Sequence, residues 1–153
     1  ITGHPVRDVR DIAVEAAAHP ARIAVVTGGA PLMHSLDPLC KELKSNGLRT
    51  HLETSGSHPL SGSWNWICLS PKKFKAPLTA VCRVADELKV VIYHPSDFKW
   101  AEKYASQVPQ SCRLLLQPEW SKAIAMTPLI VDYVKSSPQW GISLQIHKYL
   151  NIP

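Results

Sequence analysis

Short apolar runs alternate with helically spaced apolar residues along almost the whole chain. Most of the runs are hydrophobic and do not alternate with polar residues, a pattern typical of strands buried on at least one whole side of a sheet. They predict six strands, at residues 22–26, 50–53, 66–69, 87–93, 113–116 and 142–147. Between the strands, apolar residues at helical spacing predict helices at residues 36–45, 78–84, 97–107 and 128–135.

Local signals mark the ends of three of these helices. Asn46-Gly47 ends the first, Pro95-Ser96-Asp97 caps the start of the third, and Thr127 caps the last with Pro128 at its first position. The alternation of strand and helix predicts βαβ units and a parallel sheet. We therefore expect one α/β domain over residues 1–153, built as an open sheet or a partial barrel.

Polar or glycine- and proline-rich clusters follow four of the predicted strands. The carboxyl ends of parallel strands meet at one edge of the sheet, and ligands bind at that edge in α/β proteins. Ordinary turn chemistry explains any one cluster but explains the set less well. The clusters are Thr27-Gly28-Gly29, Glu53-Thr54-Ser55-Gly56, Ser70-Pro71-Lys72 and Gln117-Pro118.

Two clusters contain groups suited to binding or proton transfer. Gly28 and Gly29 allow a backbone to approach a ligand, although a strand-to-helix turn favours glycine in any case. His51 and Glu53 share a strand face, so they form an acid/base or metal pair, or Glu53 hydrogen-bonds backbone or ligand amines. The sequence contains no nucleophile elbow, HExxH motif or Walker loop. These residues predict a ligand-binding α/β domain without self-contained catalytic machinery.

The four cysteines are well separated and show no metal-binding spacing. Each lies among apolar neighbours, so we expect buried small hydrophobic residues rather than a metal site. They are Cys40, Cys68, Cys82 and Cys112.

The net charge of +5 raises the question of nucleic-acid binding. The positive residues are scattered, and the densest group, Lys72, Lys73 and Lys75, has no aromatic RNA-binding motif beside it. A solvated basic loop or a small anionic ligand is the favoured interpretation, with no direct nucleic-acid contact. The apolar runs are too short to span a bilayer and no secretion signal opens the chain, so we expect a soluble cytoplasmic protein.

Six phrases, read in order, resemble one enzyme family. The order TGG-x-P, ETSG, SPK, ELK, LQP and LQ-x-HKYL-x-IP is specific and covers residues 23–153. On these motifs the chain resembles the 7-carboxy-7-deazaguanine synthases, radical S-adenosylmethionine enzymes of queuosine biosynthesis. The full phrases are VVTGGAPL, THLETSG, WNWICLSPKK, ELKVVIY, LLLQPEWSK and ISLQIHKYLNIP.

The resemblance implies a fold, a reaction and partners. The fold would be a partial TIM-like (β/α) barrel of the radical S-adenosylmethionine (SAM) type. The reaction is a carbon–nitrogen lyase step, the radical ring contraction of 6-carboxy-5,6,7,8-tetrahydropterin to 7-carboxy-7-deazaguanine with loss of ammonia. It requires S-adenosyl-L-methionine, a reduced 4Fe-4S cluster and Mg2+, with electrons from a flavodoxin or ferredoxin. The enzyme would be a homodimer.

The resemblance also implies roles for single residues. Thr27 and Pro153, the latter through its terminal carboxylate, would bind the substrate. Gly28, Glu53 and Ser55 are further candidates. The cofactor would contact Gly29 and two loops, which comprise Ser70, Pro71 and Lys72, and Gln117, Pro118, Glu119 and Trp120. The alternative is that these residues have structural roles only: Pro71 and Pro118 shape turns, Trp120 packs against its neighbours and Lys72 is solvated.

Three positions depart from the family pattern. Ala30 stands where GGEP has a glutamate that accepts from the amino group of the cofactor's methionine moiety. Losing that charge-assisted hydrogen bond would weaken cofactor binding by roughly 1.5–3 kcal/mol. Ile146 replaces the threonine of QTHK, and Asn65 replaces an aspartate.

The family's cluster cysteines, its QGEG-like substrate loop and its magnesium-ligating threonine precede the matched segment. Residues 1–21 resemble the helix that follows the cluster loop. We therefore expect residues 1–153 to lack the cluster-binding portion and to be inactive without it.

Two alternatives remain at this point. Another radical SAM protein, such as a glycyl-radical activase, shares TGG-x-P but would not end in HKYL-x-IP. A degenerate, non-catalytic SAM-binding domain is the other, and Ala30 favours it.

Overall fold

The computed structural model describes residues 6–28 and 30–152. Within them, six strands alternate with six α-helices. The strands are β1 (Ile23–Val26), β2 (Arg49–Thr54), β3 (Trp66–Leu69), β4 (Glu87–Ile92), β5 (Arg113–Pro118) and β6 (Trp140–Ile142). The helices are α1 (Val9–Ala17), α2 (Asp37–Ser45), α3 (Thr79–Cys82), α4 (Asp97–Ala105), α5 (Ala123–Ser136) and α6 (Ile146–Tyr149).

The six described strands form one parallel sheet in the order β1-β2-β3-β4-β5-β6. Helix α2 packs on β2, α4 on β4, and α5 on β5 and β6. Crossovers of one hand between successive neighbouring strands place the helices on a single face, as in a (β/α) barrel. The predicted parallel α/β architecture is confirmed, and its partial-barrel form follows from the sequential strand order.

The main core lies between the sheet and helices α3 to α5. Along β4, Leu88, Val90 and Ile92 are fully buried against the helices, whereas Glu87, Lys89 and Val91 lie on the opposite face. Burying each large apolar side chain contributes roughly 1.5–3 kcal/mol. Other members of this cluster are Leu69, Val81, Cys82, Leu116, Ile130 and Trp140.

The prediction that Pro128 begins the last predicted helix is wrong. Helix α5 begins at Ala123, directly after a 3-10 turn over Trp120–Lys122, and contains Pro128 in its interior. Proline has no N–H to donate to the carbonyl of Ile124, four residues earlier. Because Ile124 is 96% exposed, water can take the place of that donor.

The prediction of a strand over residues 142–147 is also wrong. Strand β6 covers Trp140–Ile142, where Trp140 pairs with Leu114, and His147 belongs to the following helix α6. Trp140 is 2% exposed and its indole N–H donates to Glu102 Oε1 at 2.8 Å, which fixes the strand two residues earlier. The apolar alternation continues through Leu144 and Ile146, but both are exposed.

The start of α4 differs from its predicted cap in detail. Ser96 occupies the cap position, yet its side chain makes no capping hydrogen bond within the described residues. The carboxylate of Asp97 accepts instead from the backbone N–H groups of Tyr93 and His94, at 2.9 and 3.0 Å. The helix also ends at Ala105, two residues before the predicted end.

All four cysteines lie in the described part of the chain as buried free thiols, as predicted. Burial raises the pKa of Cys68 and brings that of Cys112 to about 11, so these thiols are neutral. No described helix has the combined length and apolar character needed to cross a bilayer.

Candidate functional site at the carboxyl edge of the sheet

A small polar cavity of about 60 Å³ lies where β1, β2 and β3 end. It joins residues from three of the four predicted clusters, because these strands are neighbours in register. Six of its lining residues were predicted as site candidates and one, Thr54, was not. The lining comprises Thr27, Gly28, Glu53, Thr54, Ser55, Ser70 and Lys72.

Backbone and hydroxyl hydrogen bonds shape this cavity. The Ser70 N–H donates to the Thr54 carbonyl at 2.7 Å, and the Gly56 N–H donates to Thr54 Oγ1 at 3.1 Å. The Lys72 ammonium donates to Ser70 Oγ at 3.2 Å. Gly56 has φ +73, and a Cβ there would lie 2.6 Å from Leu69 Cδ1. The turn after β2 therefore requires glycine.

A second cavity of about 270 Å³ lies beside the first and shares Lys72 with it. Asp97 is one of its lining residues, is 1% exposed and contacts Lys73 Nζ at 2.5 Å. Burial alone would raise the pKa of Asp97, but hydrogen bonds from Lys73, Tyr93 and His94 outweigh it and lower the pKa. The lining comprises Pro71, Lys72, Lys73, Val91, Tyr93, Asp97 and Trp100.

The loop after β5 lies further along the same edge. Gln117 is buried, and its Oε1 accepts from Ser143 Oγ at 3.1 Å, while buried Pro118 ends the strand. The Trp120 ring packs edge-on against Tyr149 at 5.1 Å and lines a cavity of about 600 Å³ with Ile124 and other residues. Gln117, Pro118, Glu119 and Trp120 thus share the edge with Ser70 but do not line its cavity.

Two predicted contacts, Gly29 and Pro153, lie outside the described residues. Gly28 is described, with φ +124 and no described heavy atom within 4 Å of a Cβ built on it. This backbone is therefore open to a neighbouring group.

The face of the sheet opposite the helices carries a polar cluster. Lys89 Nζ lies 2.7 Å from Glu53 Oε1, so Glu53 binds an amine of the protein itself. His51 faces the same side, stacks on Trp66 with centroids 6.3 Å apart, and keeps Nε2 buried without a hydrogen-bond partner in the described chain. Burial, followed by the charge of Arg49, lowers the pKa of His51. His51 and Glu53 share a face as predicted, but the partner of Glu53 is Lys89.

Sequence reasoning missed Lys89 as part of the site, and it placed Thr54 in a predicted cluster without singling it out. Lys89 is a single charged residue inside the apolar run of β4, at an alternate position whose neighbours Leu88 and Val90 are fully buried. A lone lysine at such a position points away from the helices, and this is the signal that would have found it.

The donors at the edge fit part of the cofactor that the resemblance implies. Hydroxyl groups, an open glycine backbone and a neighbouring aromatic ring suit the ribose and adenine of a nucleoside. The described residues do not fit the 4Fe-4S cluster that the resemblance also implies, because no three His, Cys, Asp or Glu side chains among them are placed to hold a metal ion.

Sequential parallel strands, helices on one face and a cavity at the strand ends define an α/β partial barrel with its candidate site at the carboxyl edge. The crystal structure of QueE from Escherichia coli matches this fold with a TM-score of 0.78 and 26% identity, over 91% of this chain and 64% of that chain. The chain belongs to the 7-carboxy-7-deazaguanine synthase family, because two curated synthases are 51% and 47% identical to it over 94% and 97% of its length.

Two curated relatives establish the family. The 7-carboxy-7-deazaguanine synthase of Flavobacterium psychrophilum is 51% identical over 143 residues, which are 94% of this chain and 68% of the relative. That of Synechocystis sp. is 47% identical over 149 residues, or 97% of this chain and 71% of the relative. A comparison with protein-family models gave no match.

Proposed function

We propose that this protein acts as a 7-carboxy-7-deazaguanine synthase and contracts the ring of 6-carboxy-5,6,7,8-tetrahydropterin with loss of ammonia. The observation that carries the proposal is the 51% identity to a synthase over 94% of the chain. The strand-end cavity supports it, because it gathers residues of the TGG-x-P, ETSG and SPK motifs.

We assign the edge residues to two neighbouring ligands. Ser70, Pro71 and Lys72 would hold S-adenosylmethionine, with Gly29 and the more distant Gln117, Pro118, Glu119 and Trp120. Thr27 and Pro153 would hold the pterin, and Gly28, Glu53 and Ser55 line the same region. With a reduced 4Fe-4S cluster, S-adenosylmethionine supplies the radical that begins the ring contraction. The residues of this chain bind the two ligands side by side, orient them and exclude water.

Residues 1–153 would form one radical SAM-type domain that binds cofactor and substrate. The cluster ligands and the Mg2+ ligand would come from residues other than those described. A flavodoxin or ferredoxin would supply electrons, and the working protein would be a homodimer.

The test is an anaerobic assay of the whole protein with reconstituted cluster, Mg2+, a reductant, S-adenosylmethionine and 6-carboxytetrahydropterin. We expect 7-carboxy-7-deazaguanine and ammonia in equal amounts, and none when S-adenosylmethionine is omitted. Cleavage of S-adenosylmethionine without this product would overturn the proposal.

A second candidate is a degenerate domain that binds S-adenosylmethionine without cleaving it, and Ala30 is the residue that favours it. Cluster-loaded protein that binds the cofactor but cleaves none of it, with or without substrate, would support this candidate.

A further inference from the structure

The face of the sheet opposite the helices places two glutamates and a cysteine in one row across three strands. Glu53 on β2 is in register with Cys68 on β3, and Cys68 is in register with Glu87 on β4. Lys89 lies two residues beyond Glu87, on the same face and nearer the carboxyl edge. These residues line a cavity of about 220 Å³ that opens beneath the strand-end cavity.

Lys89 reaches Glu53 across the intervening strand. Strands β2 and β4 are two spacings apart, or roughly 9–10 Å, so only two long side chains can meet there. Cys68, which lies between them, is small and buried. The gap is closed by a contact of 2.7 Å between Lys89 Nζ and Glu53 Oε1.

The pair is charged and partly buried. Burial alone would lower the pKa of Lys89, but the hydrogen bond to Glu53 and the nearby charges of Glu53 and Glu87 raise it overall. A buried ion pair adds little to stability compared with an apolar pair of the same size, because desolvation opposes the attraction. The pair is therefore better explained by where it holds the carboxylate than by what it contributes to folding.

Glu53 lines both cavities, the polar one at the strand ends and the one below it. The Lys89 side chain is 16% exposed, whereas that of Glu53 is 35% exposed, so part of the carboxylate side chain stays accessible to a ligand. One carboxylate oxygen is held by the ammonium, and the group is thereby fixed at the edge of the ligand cavity.

We propose that Lys89 is a positioning residue. It holds the Glu53 carboxylate at the strand-end cavity, where the carboxylate accepts hydrogen bonds from N–H groups of the substrate ring. This inference rests on the proposed function, which makes the ligand a pterin with N–H donors on its pyrimidine ring. A fixed anionic acceptor selects a ring with such donors and disfavours a ring that offers carbonyl oxygens there.

The test compares Lys89→Met, Lys89→Arg, Glu53→Gln and the double variant Glu53→Gln/Lys89→Met in the whole protein. Lys99→Met, a change at an exposed lysine of α4, is the matched control. The dissociation constants of 6-carboxytetrahydropterin and of S-adenosylmethionine are measured by anaerobic titration, with KM and kcat from the synthase assay.

We expect Lys89→Met to raise the dissociation constant and KM for the pterin roughly ten- to hundredfold. The dissociation constant of S-adenosylmethionine and kcat at saturating pterin should stay within about twofold. Lys89→Arg should restore most of the pterin affinity, since it keeps the charge and reach, and Lys99→Met should match the unaltered protein. In the Glu53→Gln background, Lys89→Met should change pterin binding by no more than about twofold.

Two results would overturn the inference. One is an unchanged dissociation constant of the pterin in Lys89→Met, and the other is a double variant whose dissociation constant rises by the product of the two single effects. If Lys89→Met does not fold, unchanged pterin binding in Glu53→Gln overturns the inference, because this variant removes the charged acceptor without leaving an unpaired carboxylate at position 53. Unaltered protein that neither binds the pterin nor forms product would instead contradict the proposed function.

Discussion

Ala30 is the residue at which this chain departs most clearly from the chemistry its family implies. It lies just before the 3-10 turn over Pro31–Met33 and is half-buried. A glutamate here would add a charged acceptor beside the TGG-x-P loop. The substitution therefore tests whether the loop after β1 binds the amino-acid end of the cofactor.

We expect Ala30→Glu to tighten S-adenosylmethionine binding roughly ten- to hundredfold, because it adds a charge-assisted hydrogen bond. Ala30→Gln is the matched control and should give a smaller gain, since its acceptor is neutral. Both are measured by equilibrium titration. Equal or weaker binding by Ala30→Glu would show that this loop does not contact the amino group.

Gly56 is the residue on which the turn after β2 depends. A Cβ there would lie 2.6 Å from Leu69 Cδ1 and 2.8 Å from Pro77 Cβ, at a φ of +73. Gly47 has a similar φ of +76, but no described heavy atom lies within 4 Å of its Cβ position.

We expect Gly56→Ala to lower the free energy of unfolding by roughly 2–4 kcal/mol, from backbone strain and overpacking together. Gly47→Ala should lower it by about 1 kcal/mol, from backbone strain alone. Urea unfolding measures both. Equal losses would mean that the contacts at Gly56 relax freely.

At the scale of elements, the link between β4 and α4 depends on Asp97. Its carboxylate accepts from two backbone N–H groups and pairs with Lys73 of the loop after β3. Its pKa is lowered in the folded protein, so its stabilising contribution is present above the ordinary carboxyl value of 3.8 and is lost as the pH falls through the folded value.

We expect Asp97→Asn to lower the free energy of unfolding by roughly 1.5–3 kcal/mol near neutral pH, because one charged acceptor is lost. The difference from the unaltered protein should shrink as the pH falls below about 4. Urea unfolding at several pH values measures it. A difference that is constant with pH would contradict the assigned role of the charge.

The elements also show what the sequence could predict. Strands β1 to β5 were predicted to within about two residues at each end, because turn residues bound each of them and short apolar runs mark most of them. The start of α5 was not predicted, since Pro128 is a standard helix-start signal and nothing local shows that the helix has already begun at Ala123. The predicted start of strand β6 was two residues too late, because the contact of Trp140 with Glu102 that sets this start is tertiary and leaves no local sequence signal.

At the scale of the whole molecule, the edge that carries the site follows from strand order, and strand order follows from the alternation of strands and helices. Clusters 27–29, 53–56, 70–72 and 117–118 were therefore predicted to share one edge, and residues from the first three line one cavity. The pairing of Glu53 with Lys89 was not predictable, because it depends on register across three strands. The roles of the individual edge residues remain predictions.

The central claim is that cofactor and substrate bind together at the carboxyl edge of the sheet. Amide hydrogen exchange of the whole protein, with and without S-adenosylmethionine and 6-carboxytetrahydropterin, tests it most directly. We predict slower exchange in peptides that contain Thr27, Ser55, Ser70 and Gln117, and no change at the opposite edge around Arg49 and Arg113. Slower exchange confined to that opposite edge, or unchanged exchange throughout at saturating ligand, would contradict the claim.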